Sequence, residues 1–367
     1  MRIIFIIKNL ENIAGGAEKV LSIIASALAD RGHEIKVISF DNIGSKPFYD
    51  FNSKIELINI NDQRKIIKNK FIQFIYRIII LRLKISLLKP DITVGFMHSI
   101  YIILAFAMLG KKINVIASEH IVPEYYKTRK LQYLLINLSS FFIKKTTVVS
   151  KDVKNKFSYF IRKKMVILPN PISINNFPEK NKYKKSGMQL LSIGRLTRQK
   201  DHETLIKAFS LLLNKFPNWR LLIIGEGPLR SELENLINKL NISNKVSLLG
   251  ISNNLEKFYT TSDIFVMPSK FESFGLVTAE AMFYSLPVIG FKDCLGINRL
   301  IDHNKTGILV NTNPCRVDSL AQAMNNLMSD QMIRKEFGKA GYSKVKKYLA
   351  TDVIVDMWED LLKKNIN

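Results

Sequence analysis

The sequence predicts two doubly wound α/β domains in tandem, and three observations carry that expectation. Short apolar runs alternate with helical patterns. The alternation begins again past a proline-containing joint near the middle of the chain. Charged or glycine-bearing loops follow directly on several of the runs. In the first half, Ile3 to Ile7, Glu34 to Ser39, Ile92 to Phe96, Ile113 to Ala117 and Thr146 to Val149 read as strands, with a helix over Glu18 to Ala29. In the second half, Gln189 to Ile193, Arg220 to Ile224, Val246 to Leu249, Ile264 to Met267 and Val288 to Gly290 read as strands. Thr204 to Asn214, Ser231 to Leu240 and Ala279 to Ser285 read as helices. Strands joined through helices pair in parallel, because a crossover of that length returns the chain to the same edge of the sheet. The joint is Leu168-Pro169-Asn170-Pro171 followed by the polar, Lys-rich stretch Glu179 to Ser186. Domains are therefore expected at 1–170 and 187–345, with a linker over 171–186 and a last helical segment over 346–367.

A chain of 367 residues is long for one core, in keeping with two domains. It carries 55 Lys and Arg against 31 Asp and Glu, a net charge of +24, with 28 basic and 12 acidic residues falling in 1–170. Positive potential on that scale suits phosphorylated substrates, anionic lipid or nucleic acid, but no nucleic-acid motif or stacking platform accompanies it. Two cysteines, Cys294 and Cys315, are too few for a disulfide framework, and both thiols are expected free in a reducing cytoplasm. The apolar run at the N-terminus is only five residues long and reads as a strand, not an export signal. The stretch Phe71 to Leu88 contains Arg77, Arg82 and Lys84, which argues against a membrane span.

The most informative segment is Phe271-Glu272-Ser273-Phe274-Gly275-Leu276-Val277-Thr278-Ala279-Glu280-Ala281-Met282, which follows an apolar strand and opens a helix. Its two carboxylates bracket a turn in which Gly275 lets backbone approach a ligand and the helix start presents unpaired N–H groups to an anion. Each Glu can accept hydrogen bonds from sugar hydroxyls, so the segment reads as a nucleotide-sugar site. The plainer alternative is a surface Glu and a helix-capping Glu.

Other strand ends carry related chemistry. Gly15 and Gly16 open a helix after the first strand, a candidate phosphate- or sugar-facing loop or simply a tight turn. Gly194-Arg195-Leu196-Thr197-Arg198-Gln199-Lys200 presents two cations suited to a diphosphate, Arg195 as a fork and Lys200 as a point charge. Gly225-Glu226-Gly227-Pro228 makes a second glycine turn. His120 closes Ser118-Glu119-His120 at a strand end, where it can hydrogen-bond a sugar; His98 has a similar position but no companion motif.

Taken in this order, Gly15-Gly16-Ala17-Glu18, Ser118-Glu119-His120, Gly194-Arg195-Leu196 with Lys200, Gly225-Glu226-Gly227-Pro228 and Glu272 to Glu280 resemble the retaining glycosyltransferases of family four. The resemblance spans roughly residues 1–345 and implies the GT-B architecture, two Rossmann-like domains facing a central cleft. It implies that Arg195 and Lys200 bind the donor diphosphate, and Glu280 the ribose hydroxyls. Glu272 and the backbone of Phe274, Gly275 and Leu276 hold the transferred sugar. Gly15, Gly16 and His120 face that sugar from the other domain, and backbone near Ser252 meets the base. The family needs no metal, in keeping with the lack of an Asp-x-Asp triplet here, and a nucleotide-sugar donor, UDP-linked, is expected. The C-terminal helix is expected to cross back to the first domain, as in relatives. Many relatives carry an acid where this chain has Arg299, which leaves the donor sugar open.

From Asn61 to Lys89, eight basic residues and one acidic residue interleave with Ile and Phe at helical spacing. This reads as a cationic amphipathic helix resting on an anionic membrane, with Lys65, Lys68, Lys70 and Arg77 at the headgroups. A solvent-facing domain helix is the alternative. The resemblance gives membrane contact a purpose, because many relatives glycosylate polyprenyl-diphosphate-linked acceptors on the cytoplasmic leaflet. Two rival classes remain. A dinucleotide-dependent oxidoreductase or epimerase lacks its GxGxxG after the first strand. A noncatalytic basic membrane-surface protein would make Glu272, Glu280, Arg195 and Lys200 incidental.

Overall fold

The computed structural model describes residues 1–11, 13–61, 67–126, 128–173, 183, 187–313 and 315–366. Two compact units emerge, one made of Met1–Pro171 with Thr351–Asn367 and the other of Ile172–Ala350.

The first unit is built on strands β1 (Arg2–Ile7), β2 (Glu34–Ser39), β3 (Glu56–Asn59), β4 (Ile92–Phe96), β5 (Asn114–Glu119), β6 (Lys145–Val148) and β7 (Met165–Ile167). They form one sheet in the order β3-β2-β1-β4-β5-β6-β7, and every neighbouring pair is parallel. Five of the six residues of β1 are buried, as expected where helices cover both faces of a parallel sheet. Its helices are α1 (Gly16–Asp30), α2 (Lys70–Leu88), α3 (His98–Ala107), α4 (Lys130–Ser139) and the short α5 (Lys151–Asn155) and α6 (Tyr159–Lys164). Right-handed crossovers send α1 to one face and α2, α3 and α4 to the other. There α3 packs between α2 and α4.

Helix α2 begins at Lys70, later than the basic pattern suggests, because Asn69 caps it by accepting from the N–H groups of Phe71 and Ile72. Residues 62–66, and with them Lys65, lie outside the described residues. The helix stops at Lys89, which takes a left-handed conformation (φ 44°) ahead of Pro90.

In the second unit, β8 (Met188–Ile193), β9 (Trp219–Ile224), β10 (Val246–Leu248), β11 (Ile264–Met267), β12 (Val288–Phe291) and β13 (Gly307–Val310) form a parallel sheet ordered β10-β9-β8-β11-β12-β13. Helices α7 (His202–Ser210), α8 (Arg230–Lys239), α9 (Leu255–Thr261), α10 (Leu276–Phe283), α11 (Leu295–Leu300), α12 (Arg316–Ser329) and α13 (Gln331–Tyr348) surround it. The repeated topology gives each unit one place where strand order reverses, β1 against β4 and β8 against β11.

The last helix, α14 (Thr351–Lys363), belongs to the first unit and packs on α1. Arg31 pairs with Asp356 at 2.7 Å and with Glu359 at 2.8 Å, and His33 Nε2 lies 3.1 Å from Glu359. Hydrogen bonds from Lys363, Arg31 and His33 draw the Glu359 carboxyl down to about 2. Trp358, 2% exposed, stacks on Phe96 with ring centroids 6.2 Å apart. Trp358→Ala is expected to cost the first unit about 3–5 kcal/mol. Trp219, in the second unit, is then the only tryptophan. In a urea titration the circular-dichroism transition should begin at lower denaturant while Trp219 fluorescence keeps its midpoint. An equal shift in both signals would deny that α14 serves the first unit.

Candidate active site

In an open parallel sheet, ligands lie beyond the carboxyl ends of the strands at the reversal point. In the second unit that place is formed by the loop after β8, residues 194–201, and the loop after β11, residues 268–275. The two are stitched together. Lys270 N–H donates to the Gln199 carbonyl at 2.9 Å, and Gln199 Nε2 donates to the Phe271 carbonyl at 2.9 Å. Lys200 Nζ lies 2.5 Å from Glu272 Oε1, which also accepts from Ser269 Oγ at 2.7 Å. Glu272 and Ser269 are buried, and the Lys200 side chain is largely so. Arg195, by contrast, is exposed and has no protein partner among the described residues.

Close backbone packing fixes the β8 loop from behind. A Cβ on Gly225 (φ +145°) would fall 2.1 Å from the Gly194 carbonyl oxygen, and one on Gly227 would fall 2.4 Å from that of Leu196. Only glycine fits either position. The Ser252 hydroxyl, past β10, accepts from Asn254 N–H at 3.2 Å; nearer that strand, the Gly250 carbonyl takes Gly225 N–H at 2.8 Å.

Gly275 caps α10 in a left-handed conformation (φ 86°), so the helix starts at Leu276, earlier than the Ala279 expected from hydropathy. A side chain there would meet Ile297 at 2.4 Å, and one on Gly296 would meet Phe274 N at 2.7 Å, so the turn is seated on α11. None of the N–H groups of residues 273–277 has a protein acceptor among the described residues. Together with the helix dipole they make a grip for anionic or hydroxyl oxygens. Glu280 is buried inside α10, where Tyr259 donates to Oε2 at 2.8 Å. Arg299 is exposed on α11.

The clamp behind these loops left no local signal in the sequence. Arg316, at the start of α12, donates from Nε to Asp201 at 3.2 Å and from Nη2 to the Pro268 carbonyl at 3.0 Å. Its guanidinium sits 3.7 Å from the Phe291 ring centre. One side chain thus ties the end of the β8 loop to the start of the β11 loop. Cys294, buried behind Glu272, has its thiol pushed up to about 12 by burial and is free, as is the exposed Cys315.

In the first unit, Gly15 caps α1 without a side-chain bond, and Gly16 is exposed at its first turn. His120 follows β5, stacked 5.2 Å from Phe96. Thr147 Oγ1 donates to Ser118 Oγ at 3.0 Å, which leaves the Ser118 hydroxyl proton for His120 Nε2 at 2.9 Å. That sense of donation puts the imidazole proton on Nδ1. Lys68 and Lys70 are exposed at the start of α2, whereas Arg77 is half-buried with its guanidinium 5.6 Å from the Phe40 ring centre.

A GT-B glycosyltransferase is what two doubly wound units and this carboxylate, cation and N–H cluster define. The comparisons agree. The model of glycosyltransferase family 4 matches residues 14–176 and that of glycosyl transferases group 1 matches residues 173–344. The chain belongs to this glycosyltransferase family. It is 26% identical to an uncharacterized glycosyltransferase of Haemophilus influenzae, over 98% of this chain and 99% of the relative. It is 28% identical to a Campylobacter jejuni α-1,4-N-acetyl-D-galactosaminyltransferase that acts on a diphospho-undecaprenol-linked glycan, over 92% of this chain and 91% of the relative. Among solved structures, a sucrose-phosphate synthase from Thermosynechococcus elongatus shares the fold with TM-score 0.84 at 17% identity, over 99% of this chain and 98% of that one.

Two predictions follow from the buried ionisable groups. Lys200→Met leaves Glu272 buried with Ser269 alone and should destabilise the second unit by about 3 kcal/mol or more, while Lys200→Met combined with Glu272→Gln restores most of the loss; chemical denaturation of the four proteins closes that cycle. Burial holds His98, His120 and His202 each down at about 4. Above pH 6.5 folded and unfolded imidazoles are both neutral. Below it the unfolded chain binds protons that the folded one refuses until about pH 4, so stability falls across that window. Melting temperatures measured from pH 7 to 4.5 should drop with up to about three protons taken up on unfolding; a flat profile would mean the three are charged when folded.

Proposed function

We propose that this glycosyltransferase moves a sugar, with retention of anomeric configuration and without a metal ion, from a UDP-linked donor to a glycan carried on a polyprenyl diphosphate. The reading places it at the cytoplasmic face of a membrane, in polysaccharide or lipid-linked glycan assembly. The observation that carries it is the cluster at the β8/β11 reversal: Arg195, Lys200, Glu272 and the five N–H groups of residues 273–277, in two stitched loops and the first turn of α10. The Campylobacter relative, which acts on a diphospho-undecaprenol-linked glycan, supports the acceptor class.

In this mechanism Arg195 and Lys200 hold the donor diphosphate and Glu280 the ribose hydroxyls. The N–H groups at Phe274, Gly275 and Leu276 take oxygens of the sugar, and Glu272 accepts from its hydroxyls. Gly15 and Gly16 offer backbone, and His120 an Nδ1–H donor, to a sugar oxygen; backbone near Ser252 lies with the base. The acceptor oxygen forms a bond to the anomeric carbon on the face from which the diphosphate leaves. The bond from that carbon to the phosphate oxygen breaks, and the acceptor proton passes to the departing phosphate. Arg195 and Lys200 stabilise the charge that builds on the leaving group, and loss of one such donor costs about a hundredfold in rate.

The same proposal explains the surface of the first unit. On α2, Ile72, Ile75, Ile79, Leu83 and Leu87 form an exposed apolar stripe, Leu87 being 77% exposed, while only Leu81 and Ile85 are buried. Leu131, Leu134 and Leu138 are likewise exposed on α4, and Lys68 and Lys70 are exposed at the start of α2. An apolar face of this extent on a cationic unit suits an anionic bilayer.

The test is transfer from UDP-sugars to a polyprenyl-diphosphate glycan with chelator present, the product anomer read by NMR. Retention with Glu272→Ala reduced about a hundredfold or more supports the reading; an unchanged Glu272→Ala rate or an inverted anomer overturns it. In liposome flotation, Leu83→Asp with Leu134→Asp should abolish binding to anionic vesicles. Lys68→Gln with Lys70→Gln should weaken it less and mainly at low salt. Binding that survives the Asp variants would refute an apolar contact.

A further inference from the structure

We infer that His98 orients the acceptor, its Nε2 lone pair taking a hydrogen bond from a sugar hydroxyl, and that Tyr126 and Glu119 position it for that task; this rests on the transferase reading above. Phe96 of β4 pairs with Ser118 of β5, so His98 and His120 leave neighbouring strand ends beside the sheet reversal. The backbone is strained just before His98. Met97 has φ 69° and ψ 149°, a region that essentially only glycine visits. Met97 N–H bonded to the Ser118 carbonyl at 2.9 Å, and the N–H groups of Ile100 and Tyr101 bonded to the Met97 carbonyl, hold that conformation. The strain makes His98 the first residue of α3.

Behind the imidazole lies a closed polar network. Glu119, 1% exposed, accepts at Oε2 from the Tyr101 hydroxyl at 2.6 Å and the Tyr126 hydroxyl at 3.0 Å, and at Oε1 from Ile121 N–H at 2.9 Å. Tyr126 Oη is also 2.9 Å from His98 Nδ1. Donors converge on Glu119 from three sides, so it is the carboxylate that satisfies them, although burial raises its pKa. The one Tyr126 proton is therefore given to Glu119, and the bond to His98 must run the other way, from Nδ1–H to the Tyr126 oxygen. Nε2 is left as an acceptor. It has no protein partner among the described residues and is not among the enclosed, unpaired polar atoms. Tyr126 meets the ring edge-on at 5.1 Å and Tyr125 flanks it at 6.0 Å, which fixes its plane. Burial, with Lys8 and Arg129 nearby, keeps the ring neutral at neutral pH.

A neutral imidazole with a bare Nε2 accepts a hydroxyl proton and offers nothing to a phosphate oxygen. The site thus selects a hydroxyl over a phosphate oxygen, and the kinetic test below assigns that hydroxyl to acceptor or donor. His120, with its proton on Nδ1, has the opposite polarity, so the two neighbouring strand ends present one acceptor and one donor.

The test uses full-length protein labelled with ¹⁵N-histidine, which gives only five imidazoles to assign. Two-bond nitrogen–proton correlation reads the tautomer without any reference to activity. Nδ1–H on His98, switching to Nε2–H in Tyr126→Phe, supports the inference; Nε2–H in the unaltered protein overturns it whether or not the chain transfers sugar. In the transfer assay, His98→Ala and Tyr126→Phe should each raise the acceptor KM about tenfold or more, the worth of one hydrogen bond, with the donor KM unchanged. An unchanged acceptor KM in active His98→Ala protein, or an equal rise in both KM values, would assign His98 a structural role only.

Discussion

Each sheet adds strands in one direction and then returns to the starting strand to add the rest on the other side, and the chemistry depends on that reversal. At the reversal the loops leaving two adjacent parallel strands turn to opposite faces, so the carboxyl ends between them are not roofed by a crossover helix. Between β8 and β11 the gap receives Lys200 from one loop and Glu272 from the other. Between β1 and β4 it receives the Gly15–Gly16 turn and the strained start of α3. Glycine at 225 and 227 then lets the next turn approach within contact of the Gly194–Leu196 backbone, which fixes the loop without spending a side chain on it.

The Lys200–Glu272 pair has a double character. A carboxylate and an ammonium that are both largely buried stabilise one another, and each would be costly alone. In the proposed reaction a donor diphosphate would compete for Lys200, and sugar hydroxyls would replace the ammonium at Glu272. Ser269, which donates to Glu272, would then keep the carboxylate from being stranded during the exchange. Arg316 does for the loops what Ser269 does for the carboxylate. It is tied to Asp201 and to Pro268, so one side chain holds the two loops together.

Much of this was legible in the sequence because the signals are local. Strand and helix alternation follows from hydropathy period, and Glu272, Glu280, Gly275, Arg195 and Lys200 stand at positions where a strand ends and a helix begins. What escaped was set by partners distant along the chain. Arg316 lies 48 residues past Pro268, and nothing in its own neighbourhood marks it as a clamp. His98 lacked a companion motif in one dimension because its companion, Tyr126, comes 28 residues later and Glu119 was hidden inside an ordinary strand end. The α2 helix shows a third kind of ambiguity. Its periodicity announces an amphipathic helix but not which face the protein keeps; Leu81 and Ile85 are buried, while the Ile72 to Leu87 stripe is left outside.

That last outcome changes the balance of forces in the proposed membrane contact. A basic side chain near an anionic surface contributes on the order of 1 kcal/mol and is screened by salt, whereas burying a Leu, Ile or Phe side chain contributes about 1.5–3 kcal/mol and is not. Lys68 and Lys70 stand at the start of α2, and Arg77 is engaged with Phe40, so few cations are left to act directly at α2. The exposed side chains of α2 and α4 outnumber them and each is worth more. In that proposed contact, charge on this unit would set where the protein lands and how fast it arrives, while apolar burial would set how long it stays. If the acceptor is anchored by a polyprenyl chain, as proposed, the second property matters more than the first, because such a substrate never leaves the bilayer.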